Sequence, residues 1–175
     1  MNIFVLSTDP EEAAQMACDQ HVIKMILEST QLLATALRFH GAPDEVLPRT
    51  ASGTPYKSTH HNHPCSVWTR KTRANFLWLV EHVRALSEEY TIRFGKVHAC
   101  SKWIDTMHRG SAWIPDGELT EFARAMPDQY KDETSVVRSY RAFYCGEKLS
   151  FAKWKRNGDW VNEWKGKACA ISMMG

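Results

Sequence analysis

The chain reads as an all-α, mostly helical domain, and three observations predict it. Helix-start signals stand at Ser7-Thr8-Asp9-Pro10 and at His63-Pro64. Each opens a long run with apolar residues at helical spacing, over about residues 10–40 and 65–94. Only residues 3–6 read as extended, either as one short strand or as an N-terminal arm.

Asp9 or Thr8 can cap the first helix, Pro10 suits its first turn, and Glu11 and Glu12 favour its dipole. This helix is expected from about Pro10 to His40 with a break near Cys18 and Asp19, and Gly41-Ala42-Pro43 ends it. Prolines at 43, 48, 55 and 64 with Gly53 then describe a long loop. Long loops in compact domains are uncommon and often functional. A second helix is expected from Pro64 or Cys65 to about Phe94, where Gly95 stops it. Shorter helical pieces are expected over Lys96–Met107 and Glu121–Met126, and a last helix over about Glu133–Phe151.

With 175 residues, 43% hydrophobic content and seven tryptophans, the chain suffices for one well-buried domain, 1–175, and is short for two. A net charge of +2 advertises no global field, so any basic surface must be local. No stretch resembles a membrane span or a signal peptide, which implies a cytoplasmic protein that makes no membrane contact; a monomer is expected. The five cysteines are odd in number, widely spaced and free of Cys-x-x-Cys, so reduced thiols are expected rather than a disulfide framework or zinc ribbon.

The first long helix carries the chemistry-bearing pattern. At 100° per residue, His21, Lys24, Glu28 and Gln31 fall within an arc of roughly 80°, while Val22, Ile23, Met25, Ile26, Leu27, Leu32 and Leu33 cover most of the rest. This predicts a polar stripe on an otherwise buried helix. A solvated Lys24–Glu28 pair is the plain alternative, in the weaker orientation for such a pair. A buried carboxylate beside a cation and an imidazole can be tuned for acid/base work or can hold a developing positive charge.

Three further groups stand out. The run His60-His61-Asn62-His63-Pro64-Cys65 lacks the spacing of a metal site, since adjacent ligands diverge, and no metal or other cofactor is expected. His63 at a helix start can place an imidazole and free N–H groups where a phosphate binds. Arg70, Lys71, Arg73, Asn75, Arg93 and Lys96, interleaved with Trp68, Trp78 and Tyr90, read either as a solvated basic face over core aromatics or as a phosphate-contacting surface. The candidate nucleic-acid contacts are His63, Arg70, Arg73, Asn75, Arg93 and Lys96. Lys153-Trp154-Lys155-Arg156 with Trp160 and Trp164 reads as an element packing tryptophans onto the domain, and Cys65 near His63 has no visible third group to make it a nucleophile.

Asp19-Gln20-His21 followed by Glu28 resembles the phage-type pyrimidine dimer DNA glycosylase family, also called endonuclease V. There an Asp-Gln-His opens a long early helix and the catalytic glutamate follows at the same spacing. His63-Pro64, Trp68 and Glu89-Tyr90 with Arg93 resemble the broader relatives of that family, and the whole chain looks like phage-encoded proteins that begin Met-Asn-Ile-Phe. The resemblance implies a compact helical fold with the arm threaded toward the catalytic helix. It also implies that a free N-terminal amine attacks the sugar C1′ to form a Schiff base, with Glu28 stabilising the cationic intermediate and His21 beside it. The family enzyme exposes a small residue after methionine removal; here Asn2 follows Met1, a size before which methionine is retained. The candidate amines are therefore those of Met1 and Lys24, and the catalytic set is Glu28, His21, Lys24 and Met1.

The implied function is a DNA glycosylase, with abasic-site lyase activity, on a damaged or modified pyrimidine. Its partner is DNA, through the phosphate backbone and a pyrimidine base. Two alternatives remain open at this level: a phage pyrimidine-modifying (hypermodification) transferase, and a non-catalytic nucleic-acid-binding module.

Overall fold

Asp9 starts the first helix as its position predicts, because its carboxylate accepts the Glu12 N–H at 2.8 Å and Pro10 takes the first turn. In the computed structural model, which describes residues 1–165, α1 spans Pro10–Met16 and α2 spans Asp19–Phe39. Ala17 and Cys18 are extended between them, so the expected break is present. Trp154 and Trp160 both donate their indole N–H to the Met16 carbonyl, at 2.9 and 3.0 Å, and close the end of α1. Those two tryptophans pack onto the domain, as the C-terminal pattern implied.

The expected second helix is two helices, α3 at Pro64–Thr69 and α4 at Arg73–Phe94. Thr72 breaks the run: its hydroxyl accepts the Asn75 N–H at 3.2 Å while the Arg73 N–H turns to the Pro115 carbonyl at 2.8 Å. Gly95 ends α4 at φ +66°, a conformation that favours glycine. A 3-10 turn at Ser101–Trp103 leads into α5, Ile104–Gly110, which starts later and runs further than the sequence suggested. The segment 121–126 is not helical. Its carbonyls are used elsewhere, Ala123 accepting from the Tyr140 hydroxyl and Ala125 from the Asn2 amide, both at 2.7 Å.

The helix α6 covers only Val136–Glu147. Asp132 holds the N–H groups of Thr134 and Ser135, a local turn that keeps the helix from starting earlier. A short α7 follows at Trp160–Trp164. Among the described residues there is no strand, only an isolated bridge between Arg49 and Pro55. No helix among them is long and apolar enough to cross a membrane. The four described cysteines are free and buried; Cys169 lies outside the described residues, as does the end of the tail.

Residues 3–6 form an arm inside the fold. Ile3, Val5 and Leu6 are fully buried and Phe4 nearly so, each such burial being worth about 1.5–3 kcal/mol. Opposite the arm, Arg93 ties three elements together with a fully buried guanidinium. It pairs with Glu89 at 2.7 Å and Asp19 at 3.1 Å, and donates to the carbonyls of Ala17 and Gln15 at 2.7 and 2.8 Å. Two carboxylates and two carbonyls thus surround the guanidinium, which lets the charges be buried.

His82 on α4 is different, fully enclosed beside Trp78 with neither ring nitrogen hydrogen-bonded. Burial lowers its pKa to about 4. The unfolded chain therefore takes up a proton below pH 6.5 that the fold refuses, so stability is full above that pH and falls as the pH drops toward about 4. Denaturant titration across this window should show a loss on the order of 3 kcal/mol from His82. His82→Leu should remove the His82 share of that limb, leaving the share of His21, whose pKa is also lowered to about 4, and keep the protein at least as stable at pH 7; an unchanged acid limb would show that His82 does not contribute to it.

Candidate active site at the buried N-terminus

The end of the arm is placed by its own second residue. The Asn2 side-chain carbonyl accepts the N–H groups of Ile3 and Phe4 at 2.8 and 3.1 Å, while its amide reaches Ala125. Phe4 then turns the chain at φ +44°, an unfavourable conformation for a non-glycine residue. Its ring is held by parallel stacking on His21 at 4.3 Å and by the edge of Tyr144 at 5.5 Å. The Leu6 carbonyl accepts from the Arg141 guanidinium at 2.8 Å.

This path brings the Met1 ammonium to 3.7 Å from one oxygen of Glu28, while Lys24 lies 3.2 Å from the other. The Met1 and Glu28 side chains are largely buried, but Lys24 is 65% exposed. The stripe is thus split. His21 and Glu28 are covered, while Lys24 and the expected core residues Ile23 and Leu27 stand open to solvent. The reason is that α3, α4 and the arm cover the other sides of α2 and leave this one free. An imine-forming lysine needs a desolvated ammonium, and Lys24 does not have that environment.

His63 joins the pair from α3. Its Nδ1 accepts the Cys65 N–H at 3.2 Å, which leaves Nε2 as the N–H nitrogen. Burial lowers its pKa, helped by the Met1 ammonium and by His60 and opposed by Glu28. His60 and His61 diverge from it, one bonded to Thr59 and one tilted against Phe39. Burial pushes the Cys65 thiol up to about 11, so it is no thiolate nucleophile.

His21 sits about 10 Å along α2 from Glu28 and works beneath the arm. Its Nδ1 is 2.7 Å from the Tyr144 hydroxyl, which also accepts the Cys18 N–H at 2.9 Å. Tyr144 therefore donates to Nδ1. Burial, with smaller contributions from Lys148 and Lys24, lowers the His21 pKa to about 4 and keeps the ring a neutral acceptor. It positions Phe4 rather than touching Glu28.

The family model for the pyrimidine dimer DNA glycosylase matches residues 1–102. The chain belongs to the pyrimidine dimer DNA glycosylase family. No curated protein and no solved structure matches it. The matched span contains Met1, His21, Lys24, Glu28 and His63, while Tyr140, Arg141 and Tyr144, which hold the arm, lie outside it.

In this member of the glycosylase family the expected DNA contacts separate into two groups. Arg93 and Asn75 are corrections, because both are buried and fully engaged. Asn75 clips Trp68 and Thr120 together through three bonds of 2.9 Å, and Arg93 is the internal tie described above. Arg70 lies over Phe39 at 4.3 Å and donates to the His61 carbonyl. Arg73 pairs with exposed Asp116 at 3.3 Å, and Lys96 is exposed. Arg73 and Lys96 bracket α4, roughly 33 Å apart, so they do not share one phosphate. Lys148 acts on His21, and the Lys153 carbonyl accepts the Asp19 N–H at 2.8 Å. Their signal in the sequence was the basic run after residue 147, which has no helical period to give it a face.

Tyr144→Phe should leave His21 Nδ1 and the Cys18 N–H unpaired at a cost of about 1–3 kcal/mol. Chemical denaturation measures it, and a change below a few tenths would show that the hydroxyl does not hold the arm.

Proposed function

We propose that this protein is a DNA glycosylase acting on a damaged or modified pyrimidine, with abasic-site lyase activity, and that the α-amine of Met1 is its nucleophile. The observation that carries the reading is the Met1 ammonium held 3.7 Å from the shielded carboxylate of Glu28. A chain terminus is normally solvated, and one threaded under a strained aromatic turn to meet a carboxylate fits a nucleophile that needs orientation.

The ammonium first gives up a proton, for which the Glu28 carboxylate is the neighbouring acceptor. The free amine attacks C1′, and the glycosidic C1′–N bond breaks with its electron pair leaving on the base, which takes up a proton. Opening of the sugar ring, with a proton to O4′, gives the iminium. Its positive charge lies where the Glu28 carboxylate can stabilise it in a partly dry site. Loss of a C2′ proton then expels the 3′ phosphate, and hydrolysis of the imine returns the amine. Lys24, solvated on the other oxygen of Glu28, keeps that carboxylate in place and offers a contact to phosphate.

Native protein incubated with dimer-containing or abasic duplex and borohydride should give a covalent protein–DNA adduct. Glu28→Gln should lower strand cleavage by about 10²-fold or more while duplex binding persists. Absence of both adduct and base release across damaged and modified pyrimidines would overturn the reading. A mass gain on the base without scission would indicate a modifying transferase, and binding that leaves the DNA intact a non-catalytic module.

A further inference from the structure

The Met1 amine is held from its own backbone as well as by Glu28, and one side chain accounts for its direction. From Phe4 onward the arm is fixed by its ring stack and by Arg141, but Met1, Asn2 and Ile3 carry rotatable φ and ψ angles between that anchor and the terminal nitrogen. The buried side chains of Met1 and Ile3 hold the segment in place without orienting its backbone, because apolar contact is non-directional. An ion pair depends on distance more than on direction. Asn2 supplies the direction. It is 9% exposed, its Oδ1 accepts the N–H groups of Ile3 and Phe4 at 2.8 and 3.1 Å, and its Nδ2 donates to the Ala125 carbonyl at 2.7 Å. The stretch around Ala125 is gripped in turn by Tyr140, whose hydroxyl donates to the Ala123 carbonyl at 2.7 Å and accepts the Ala125 N–H at 3.4 Å.

We propose that Asn2 is the positioning residue of the reaction, aiming the Met1 amine past the Glu28 carboxylate toward C1′, and that Tyr140 sets Asn2 through Ala125. The inference rests on the glycosylase reading and names the residue on which the orientation of its nucleophile depends. The Asn2 carbonyl closes an Asx turn over the first residues of the arm, so the course of the chain leading back to the amine is set with it. The bond to Ala125 ties that turn to a segment more than a hundred residues away, which stops it from swinging as a unit. A nucleophile misplaced by about 1 Å can lose roughly 10²-fold in rate, so a side chain that never meets the substrate can still govern the step. Asparagine at this place serves the amine twice. Its size is one before which methionine is retained, and its amide fixes where Met1 points.

The test pairs kinetics on DNA with a readout that needs no DNA, both on the full chain. Asn2→Leu keeps the size of the side chain and removes its three bonds. It should slow borohydride-trapped adduct formation on abasic duplex by about 10²-fold, while duplex affinity changes by less than about threefold. Asn2→Asp keeps the two acceptor bonds to Ile3 and Phe4 and should recover about tenfold or more of that loss. In methyl NMR spectra of protein labelled at methionine, the Met1 signal should move in Asn2→Leu and return toward native in Asn2→Asp. The signals of the buried Met25 and Met107 should stay in place and so check the fold. Tyr140→Phe should slow the adduct less than Asn2→Leu and add little to it in the double variant, since both act through Ala125. A native adduct rate in Asn2→Leu overturns the proposal, as does Asn2→Asp reacting as slowly as Asn2→Leu. Movement of Met25 and Met107 together with loss of duplex binding also overturns it, assigning Asn2 to the fold alone. Additive losses with Tyr140→Phe overturn the route through Ala125. If native protein forms no adduct, the glycosylase reading fails. The Met1 signal then still decides whether Asn2 orients the terminus, a signal unmoved in Asn2→Leu overturning that orientation and a moved one supporting it.

Discussion

A charged chain terminus has to be carried into a fold without leaving its backbone unsatisfied, and this constraint organises the molecule. Burying the apolar side chains of Ile3, Val5 and Leu6 supplies the driving force, but an extended segment has no helix to satisfy its polar groups. Side chains from elsewhere do so. Asn2 takes two N–H groups of the arm, and Arg141 donates to the Leu6 carbonyl. The His21–Phe4 stack, locked from below by Tyr144, holds a backbone conformation that Phe4 would not adopt in isolation. The ion pair of Met1 with Glu28 is the outcome of these contacts rather than their cause.

Asn2 also accounts for the residue that stands where the family enzyme exposes a small one. A small side chain there could not bond Ile3, Phe4 and Ala125 at once. In this chain the second residue is part of the clamp, and the amine it presents belongs to Met1. The groups completing the clamp, Tyr140, Arg141 and Tyr144, come from α6, beyond the span that the family model matches. The proposed reacting groups thus sit in the span that the family model matches, and their support comes from outside it.

Much of this was legible in the sequence where the signal is local. Asp9-Pro10, His63-Pro64 and Gly95 mark helix ends through their own backbone chemistry, and the spacing of Asp19-Gln20-His21 to Glu28 marks the helix that carries the proposed site. What failed depended on distant chain. Periodicity could place Ile23, Lys24 and Leu27 on α2 but could not say which side would remain uncovered, because the arm, α3 and α4 decide that. Arg93 and Asn75 looked like surface cations and amides because their partners are carbonyls and loop residues without a periodic pattern. For Arg93 a local hint existed in Glu89, four residues earlier in the favourable orientation for an ion pair. For Tyr144, 123 residues from His21, there was none.

The central claim is that burial of the arm makes the N-terminal amine, and not the solvated Lys24, the group that meets DNA. Peptide mapping by mass spectrometry of protein reduced with borohydride on an abasic duplex tests it most directly. The account predicts the sugar-derived mass on the α-nitrogen of the peptide beginning at Met1, with Lys24 unmodified. Modification of Lys24 with an unaltered N-terminal peptide would contradict it.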